Sequence, residues 1–278
     1  MILPHINEIA TLCSAHGIKQ AIVSPGSRSA AISLAFDKHP EIDVKVVADE
    51  RSAAFIAMGM AQQLKKAVAL ICTSGSAAYN YAPAVAEAYY LEIPLLIITA
   101  DRPPEWIDQY DGQTIQQEGI FGRHVKESFN LPVDLSHKDA QWHSNRLVNQ
   151  AIQKTEEFPK GPVHINVPIR EPFYPSDGET YLFPATRKIE ALKTEKTIAE
   201  SSWNQLITTW NNCNNRLLVL GQMEPNTELT AVLDDLTQKT NTPIVNEITA
   251  NQHGLNGSIN KQDLFLQGEA KVDAPELL

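Results

Sequence analysis

Up to Val167 the chain alternates two patterns. Short, almost unbroken apolar runs (Ala21-Ile22-Val23, Ala67 to Cys72, Leu95 to Thr99 and Val163 to Val167) are separated by segments whose apolar residues recur at three- and four-residue spacing. The spaced segments, Ile6 to His16, Ala30 to Lys38, Ala53 to Lys65, Ser76 to Tyr90 and about Asp139 to Glu157, predict helices. The order is therefore strand, helix, strand. Near-continuous rather than alternating apolar strands predict a parallel sheet covered on both faces, so the fold class is α/β with a doubly wound, mostly parallel sheet.

Between Glu171 and Glu195 the pattern lapses, and Pro172, Pro175, Asp177, Gly178 and Pro184 mark a linker. It then resumes with a helix over Glu200 to Asn211, a strand over Leu217 to Leu220, a helix over Glu228 to Lys239 and a strand over Pro243 to Val245. This reads as part of a second, Rossmann-like α/β domain. The expected division is 1–175, a linker over 176–199, and an incomplete domain over 200–278. Gly221-Gln222-Met223-Glu224-Pro225 lacks the G-x-G-x-x-G dinucleotide fingerprint, and no internal repeat is visible.

Composition narrows the function. A formal charge of -10 opposes nonspecific nucleic-acid binding, which depends on neutralising phosphates with lysine and arginine. Apolar stretches such as Pro94 to Ala100 fall far short of the roughly 20 residues that cross a bilayer, and the first residues lack a signal peptide's basic start. A cytoplasmic enzyme is the expectation. Cys13, Cys72 and Cys213 show no CxxC spacing, and the histidines show no metal-ligand spacing, so reduced thiols and no zinc site are expected.

Candidate chemistry gathers where strands end. In doubly wound folds, ligands bind at the carboxyl ends of the strands. Val46-Val47-Ala48 reads as a buried strand that delivers Asp49-Glu50-Arg51 to such an end, placing Glu50 in a crevice; the alternative is that Asp49 or Glu50 only caps the following helix. Ser24-Pro25-Gly26-Ser27-Arg28-Ser29 and Thr73-Ser74-Gly75-Ser76 sit at two further tips. The side chains of the latter are expected to cap a helix, while its backbone could approach a ligand. After Leu95 to Thr99 comes Ala100-Asp101-Arg102-Pro103-Pro104-Glu105. Arg28 and Arg102 carry planar guanidinium forks suited to carboxylates, or they are ordinary ion-paired residues, with Asp101 the partner of Arg102.

In order and spacing these tips resemble the thiamine-diphosphate-dependent enzymes, and within them the menaquinone-pathway carboligases. Gln113-Thr114-Ile115-Gln116-Gln117-Glu118-Gly119 is similar to that family's glutamine-bearing loop, with Glu118 where proline is expected. The resemblance implies a pyrimidine-binding domain in which Glu50 exchanges a proton with N1′ of thiamine diphosphate and Ser74 and Gly75 line the cofactor. It also implies that Ser27, Arg28, Arg102 and Gln117 face the substrate, with Asn80 a further candidate. The implied substrates are 2-oxoglutarate and isochorismate. Mg²⁺ would be held by a separate domain bearing a G-D-G signature, which does not occur in these 278 residues. The chain is accordingly expected to be the N-terminal part of a longer enzyme, inactive alone, and a homodimer or dimer of dimers when complete. Tyr79, Tyr81, Tyr89 and Tyr90 are expected at an interface or in the core. Two other readings stay open: another thiamine-diphosphate decarboxylase or acetolactate-type synthase, and a noncatalytic binding module.

Overall fold

The apolar runs become strands of one parallel sheet. In the computed structural model, which describes residues 2–171, 174–192, 194, 197–267 and 273–278, these strands are β1 (Gln20–Val23), β2 (Asp43–Val46), β3 (Val68–Cys72), β4 (Leu95–Asp101), β5 (Ser128–Asn130) and β6 (Val163–Pro168). They lie in the order β2-β1-β3-β4-β6-β5, every pair parallel. Helices α1 (Pro4–Ala15), α2 (Ala30–Lys38), α3 (Glu50–Leu64), α4 (Ser76–Asn80), α5 (Ala82–Tyr90) and α6 (Lys138–Glu156) connect and cover them.

Successive side chains on a strand point to opposite faces, so each central strand feeds two cores. Ala69, Ile71, Leu96 and Ile98 pack with Ile9, Leu12, Ile32, Phe36, Val148 and Ile152 of α1, α2 and α6. Val68, Leu70, Leu95 and Ile97 pack on the other face with Ala53, Ala57, Ala61, Val85 and Ala88 of α3 and α5. Small residues let α3 lie close to the sheet. Each fully buried aliphatic side chain contributes about 1.5 to 3 kcal/mol relative to exposure.

Three details differ from the pattern read in sequence. The strand expected at Val46 to Ala48 ends at Val46 and lies at the sheet edge, where Val46 is 67% exposed. A β-branched run cannot reveal whether a neighbour strand lies on both sides. The helix expected over Ser76 to Tyr90 is two helices broken at Tyr81, because Pro83 has no N–H to continue the ladder and instead opens α5. The short edge strand β5 had no legible apolar run.

By contact the chain divides into Met1–Leu192 and Lys193–Leu278. The segment read as linker is not a free tether over 181–189. The carbonyls of Leu182 and Arg187 accept from Asn7, Asn145 and Asn149 on α1 and α6, and Tyr181 and Phe183 pack against the first core. The second unit contains α7 (Glu200–Asn212), β7 (Leu218–Leu220), α8 (Thr227–Thr240), β8 (Ile244–Asn246) and α9 (Gln262–Leu266). β7 and β8 pair in parallel over a small core of Leu220, Leu233, Ile244, Ala250 and Leu255. Among the described residues no helix is long and apolar enough to cross a membrane.

Candidate active site at the strand tips

The carboxyl ends of β1, β2, β3 and β4 bring together Ser27 and Arg28, Glu50, Ser74 and Gly75, and Arg102. At the β2 tip two adjacent carboxylates divide the work. Asp49 is the helix N-cap, its Oδ1 accepting from the Ser52 N–H at 2.7 Å. Glu50 is the first residue of α3, half-buried, with capping already done by its neighbour. Its charge reaches the β3 tip. Burial pushes the Cys72 thiol and the Tyr81 phenol upward, and the Glu50 carboxylate acts on both in the same direction. Tyr81 itself is core, donating to the Ile71 carbonyl at 2.8 Å, whereas Tyr79, Tyr89 and Tyr90 are exposed.

The β3 tip does not cap its helix through side chains, contrary to the sequence reading. Gly75 is the N-cap of α4, at φ +86°, and no side chain caps there. A Cβ on Gly75 would meet the backbone of Gln113 at 3.0 Å, so only glycine serves both the turn and the close approach. The hydroxyls of Thr73 and Ser74 are buried without a hydrogen-bond partner among the described residues. Unmet buried hydroxyls are costly in a closed protein and point to a polar ligand at this tip. Thr73 also fills the space that a Cβ on Gly26 would need, at 2.4 Å, which locks the β1 tip against the β3 tip.

Gln117, expected to face the substrate, lies in the interior at the β3 and β4 tips. It is 1% exposed, and its amide is consumed within the protein. Oε1 accepts from the Gly75 N–H at 3.0 Å, while Nε2 donates to Ala100 O at 2.9 Å and to Asn166 Oδ1 at 2.9 Å. Asn166 in turn donates to Asp101 Oδ2 at 2.8 Å. This buried chain links the β3, β4 and β6 tips, and sequence reading missed Asn166 and Asp101 as its members. Nothing local marked them, since their partners lie far along the chain. Glu118 is exposed and accepts from Asn130 Nδ2 at 3.4 Å.

Arg28 is 7% exposed and donates through Nη1 to the Ile169 carbonyl at 2.9 Å, with Glu171 Oε1 3.9 Å from Nη2. Burial and the nearby Arg102 charge lower its affinity for its proton, and Glu171, Asp111 and Asp101 oppose that. Arg102 donates through Nε to Asp111 Oδ2 at 2.6 Å and through Nη2 to Gly112 O at 2.7 Å. Its guanidinium partner is thus Asp111. From Arg102, Asp101, the expected partner, accepts the backbone N–H alone, at 2.7 Å, and burial raises its carboxyl. Ser27 is exposed next to Arg28 in sequence, and Asn80 is exposed with Nδ2 donating to Ser76 O. No cluster of three or more potential metal ligands occurs among the described residues.

Residues 7–120 match the thiamine pyrophosphate enzyme N-terminal TPP binding domain. Over those residues the chain is similar to the thiamine pyrophosphate enzymes. The 2-succinyl-5-enolpyruvyl-6-hydroxy-3-cyclohexene-1-carboxylate synthase of Cytophaga hutchinsonii is 43% identical over 272 residues, covering 98% of this chain and 48% of that protein. The synthase of the same name from Christiangramia forsetii is 40% identical over 264 residues, covering 90% of this chain and 45% of the relative. The chain spans about half the length of the curated relatives it matches, and resembles their N-terminal part. A thiamine diphosphate-dependent 4-hydroxybenzoylformate decarboxylase from Rhodococcus jostii RHA1 shares the fold, with a TM-score of 0.64 at 19% identity over 87% of this chain and 44% of that one.

Proposed function

We propose that this chain supplies the pyrimidine-binding half of a thiamine-diphosphate-dependent carboligase. The enzyme decarboxylates 2-oxoglutarate and adds the succinyl semialdehyde unit to isochorismate in menaquinone biosynthesis. The observation that carries this is the division of labour at the β2 tip: Asp49 caps α3, which leaves Glu50 available on the same sheet edge as the β3 tip, where the hydroxyls of Thr73 and Ser74 are buried without partners among the described residues. The names of relatives at 43% and 40% identity support the choice of reaction.

The tip fits a polar ring such as the cofactor's aminopyrimidine, because two buried hydroxyls lack partners there among the described residues. Thiamine diphosphate, when bound, supplies the carbanion-stabilising chemistry needed for decarboxylation and carbon–carbon bond formation. Glu50 holds and exchanges a proton between its carboxylate and N1′. Ser74 and Gly75 line the pyrimidine, and Gln117 positions Gly75 through its N–H. Arg28 and Arg102, with Ser27, bind the carboxylates of isochorismate. We assign 1–175 to the pyrimidine-binding domain and 200–278 to part of a central domain, with Mg²⁺ and the diphosphate held by groups outside these residues. On this reading the 278-residue polypeptide by itself does not turn over, and the active assembly is a cytoplasmic homodimer or dimer of dimers.

The test is Glu50→Gln in the active assembly, read by hydrogen–deuterium exchange at C2 of the bound cofactor. A side chain that keeps its shape but cannot exchange the proton is expected to slow that step by about 10² to 10⁴. An unchanged exchange rate in a folded, cofactor-loaded variant refutes the assignment.

A further inference from the structure

Both arginines at the tips already face carboxylates of their own chain. Arg102 donates through Nε to Asp111 and through Nη2 to the Gly112 carbonyl, so the side edge of its guanidinium, which a planar carboxylate would take in bidentate fashion, is filled. The charges that act on Arg28 are Arg102, Glu171, Asp111 and Asp101, which sets three carboxylates against two guanidiniums. A dianion brought onto that tip would add two negative charges to a group already negative. Asp101 cannot leave, since its oxygens are committed to the Arg102 N–H and to Asn166 in the interior. Asp111 can, with its side chain 34% exposed. It also sits on a segment where Asp108, Tyr110 and Gln113 take φ of 60°, 57° and 57°, a left-handed conformation that side chains other than glycine adopt at a cost.

We propose that Asp111 is an internal stand-in for the ligand's carboxylate: it occupies the Arg102 guanidinium, and an anionic ligand binds by displacing it. Asp111 therefore sets the affinity of the site and disfavours monoanions, which bring too little charge to exchange for it. This inference rests on the reading of Arg28 and Arg102 as the anion-binding pair. The alternative role for Asp111 is to orient Arg102, and the two roles differ in sign.

The experiment is calorimetric titration of the 278-residue chain with isochorismate, for the wild type, Asp111→Asn, Asp111→Ala, Asp108→Asn, Arg102→Ala and the pair Arg102→Ala with Asp111→Asn. Removing the competing ion pair is expected to tighten binding by about two- to fivefold in both Asp111 variants. Arg102→Ala is expected to weaken it by at least about tenfold, and the gain from Asp111→Asn to vanish in that background. Asp108 lies on the same segment but bonds to Gln116 at 2.5 Å rather than to Arg102. An equal gain from Asp108→Asn would show a general charge effect and overturn the proposal. Weaker or unchanged binding in the Asp111 variants, with Arg102→Ala still weakening it, overturns the displacement role and leaves the anion site standing. Unaltered binding in Arg102→Ala, or no wild-type binding at millimolar isochorismate, overturns the anion-site reading and this inference together.

Discussion

The two units share a strand–helix–strand grammar but differ in how completely they bury it. In the first unit, β3, β4 and β6 are buried along their whole length and each lies between two neighbours, with helices packed over both faces. In the second, the strands of the described residues form one two-stranded pair flanked only by single bridges at Ile259 and between Arg216 and Leu277, one helix contributes Leu233 to a small core, and α7 buries no residue, leaving Trp203 52% exposed. Strand count decides this. A sheet flanked on both sides gives every apolar residue a partner face, whereas a two-stranded pair has mostly edge, and such a pair is weak without further packing. The tips that converge on a candidate site all belong to the well-buried unit, where a rigid scaffold can hold loops in place.

The contrast is broken most directly by core truncation. Ile97→Ala in the centre of β4 is expected to cost about 2 to 5 kcal/mol, and Leu233→Ala in the second unit a value at or below the lower end of that range, because its surroundings can collapse. Chemical denaturation of each variant measures both. Equal losses would mean the two cores are equally tight.

Next in size is the functional contrast. Arg28→Ala or Arg102→Ala in the active assembly is expected to cost about 1.5 to 3 kcal/mol in isochorismate use, with decarboxylation of 2-oxoglutarate and an artificial acceptor far less affected. Arg216→Ala in the second unit, where the guanidinium lies 5.0 Å from the Trp210 ring centroid, is expected to leave both rates alone. Steady-state kinetics with varied isochorismate distinguishes them.

Acid should act on the first unit through His164. This ring is fully buried between Thr99 Oγ1 at 2.8 Å and Ser128 Oγ at 3.0 Å, and burial lowers its pKa to about 3. Below the ordinary pKa of 6.5 the unfolded chain takes up a proton that the folded chain refuses. Stability is therefore whole above pH 6.5 and declines as pH falls from there toward 3, by up to about 1.4 kcal/mol per pH unit. His5, lowered by burial to about 4, acts in the same direction. Urea melts at pH 7.5 and 5.0 (roughly one unit above and well below the ordinary histidine value) read the slope, and a His164→Asn variant is expected to flatten it. An unchanged slope in that variant would assign the acid sensitivity elsewhere.

The smallest effect sharpens the comparison from the other side. Trp203→Ala on the exposed face of α7 is expected to change the stability of the chain by no more than about 0.5 kcal/mol. A larger loss would show that α7 is packed in solution.

Much of this architecture was legible in the residues themselves. Ala30 to Lys38 is helical over the range its spacing predicted, and the apolar runs at Val68, Leu95 and Val163 are the parallel strands they were read as. Gly75 was legible as a tip residue, although its φ of +86° and its contact with Gln113 were not. Gln117 shows the limit. In sequence it is one of several glutamines in a polar loop, and only the structure places its amide between Gly75, Ala100 and Asn166.

By itself, then, the sequence determined the layer order, the parallel sheet and the convergence of polar residues at strand ends, because helix and strand periods and turn residues are local properties. The tertiary structure decided which strand lies at the edge, that Asp49 caps while Glu50 stays available, that Tyr81 is core, and that Arg102 pairs with Asp111 rather than Asp101. Each of those outcomes depends on burial and on partners set by chain geometry. Hydrogen-bond and ion-pair choices are resolved only when strands from distant parts of the chain are brought side by side.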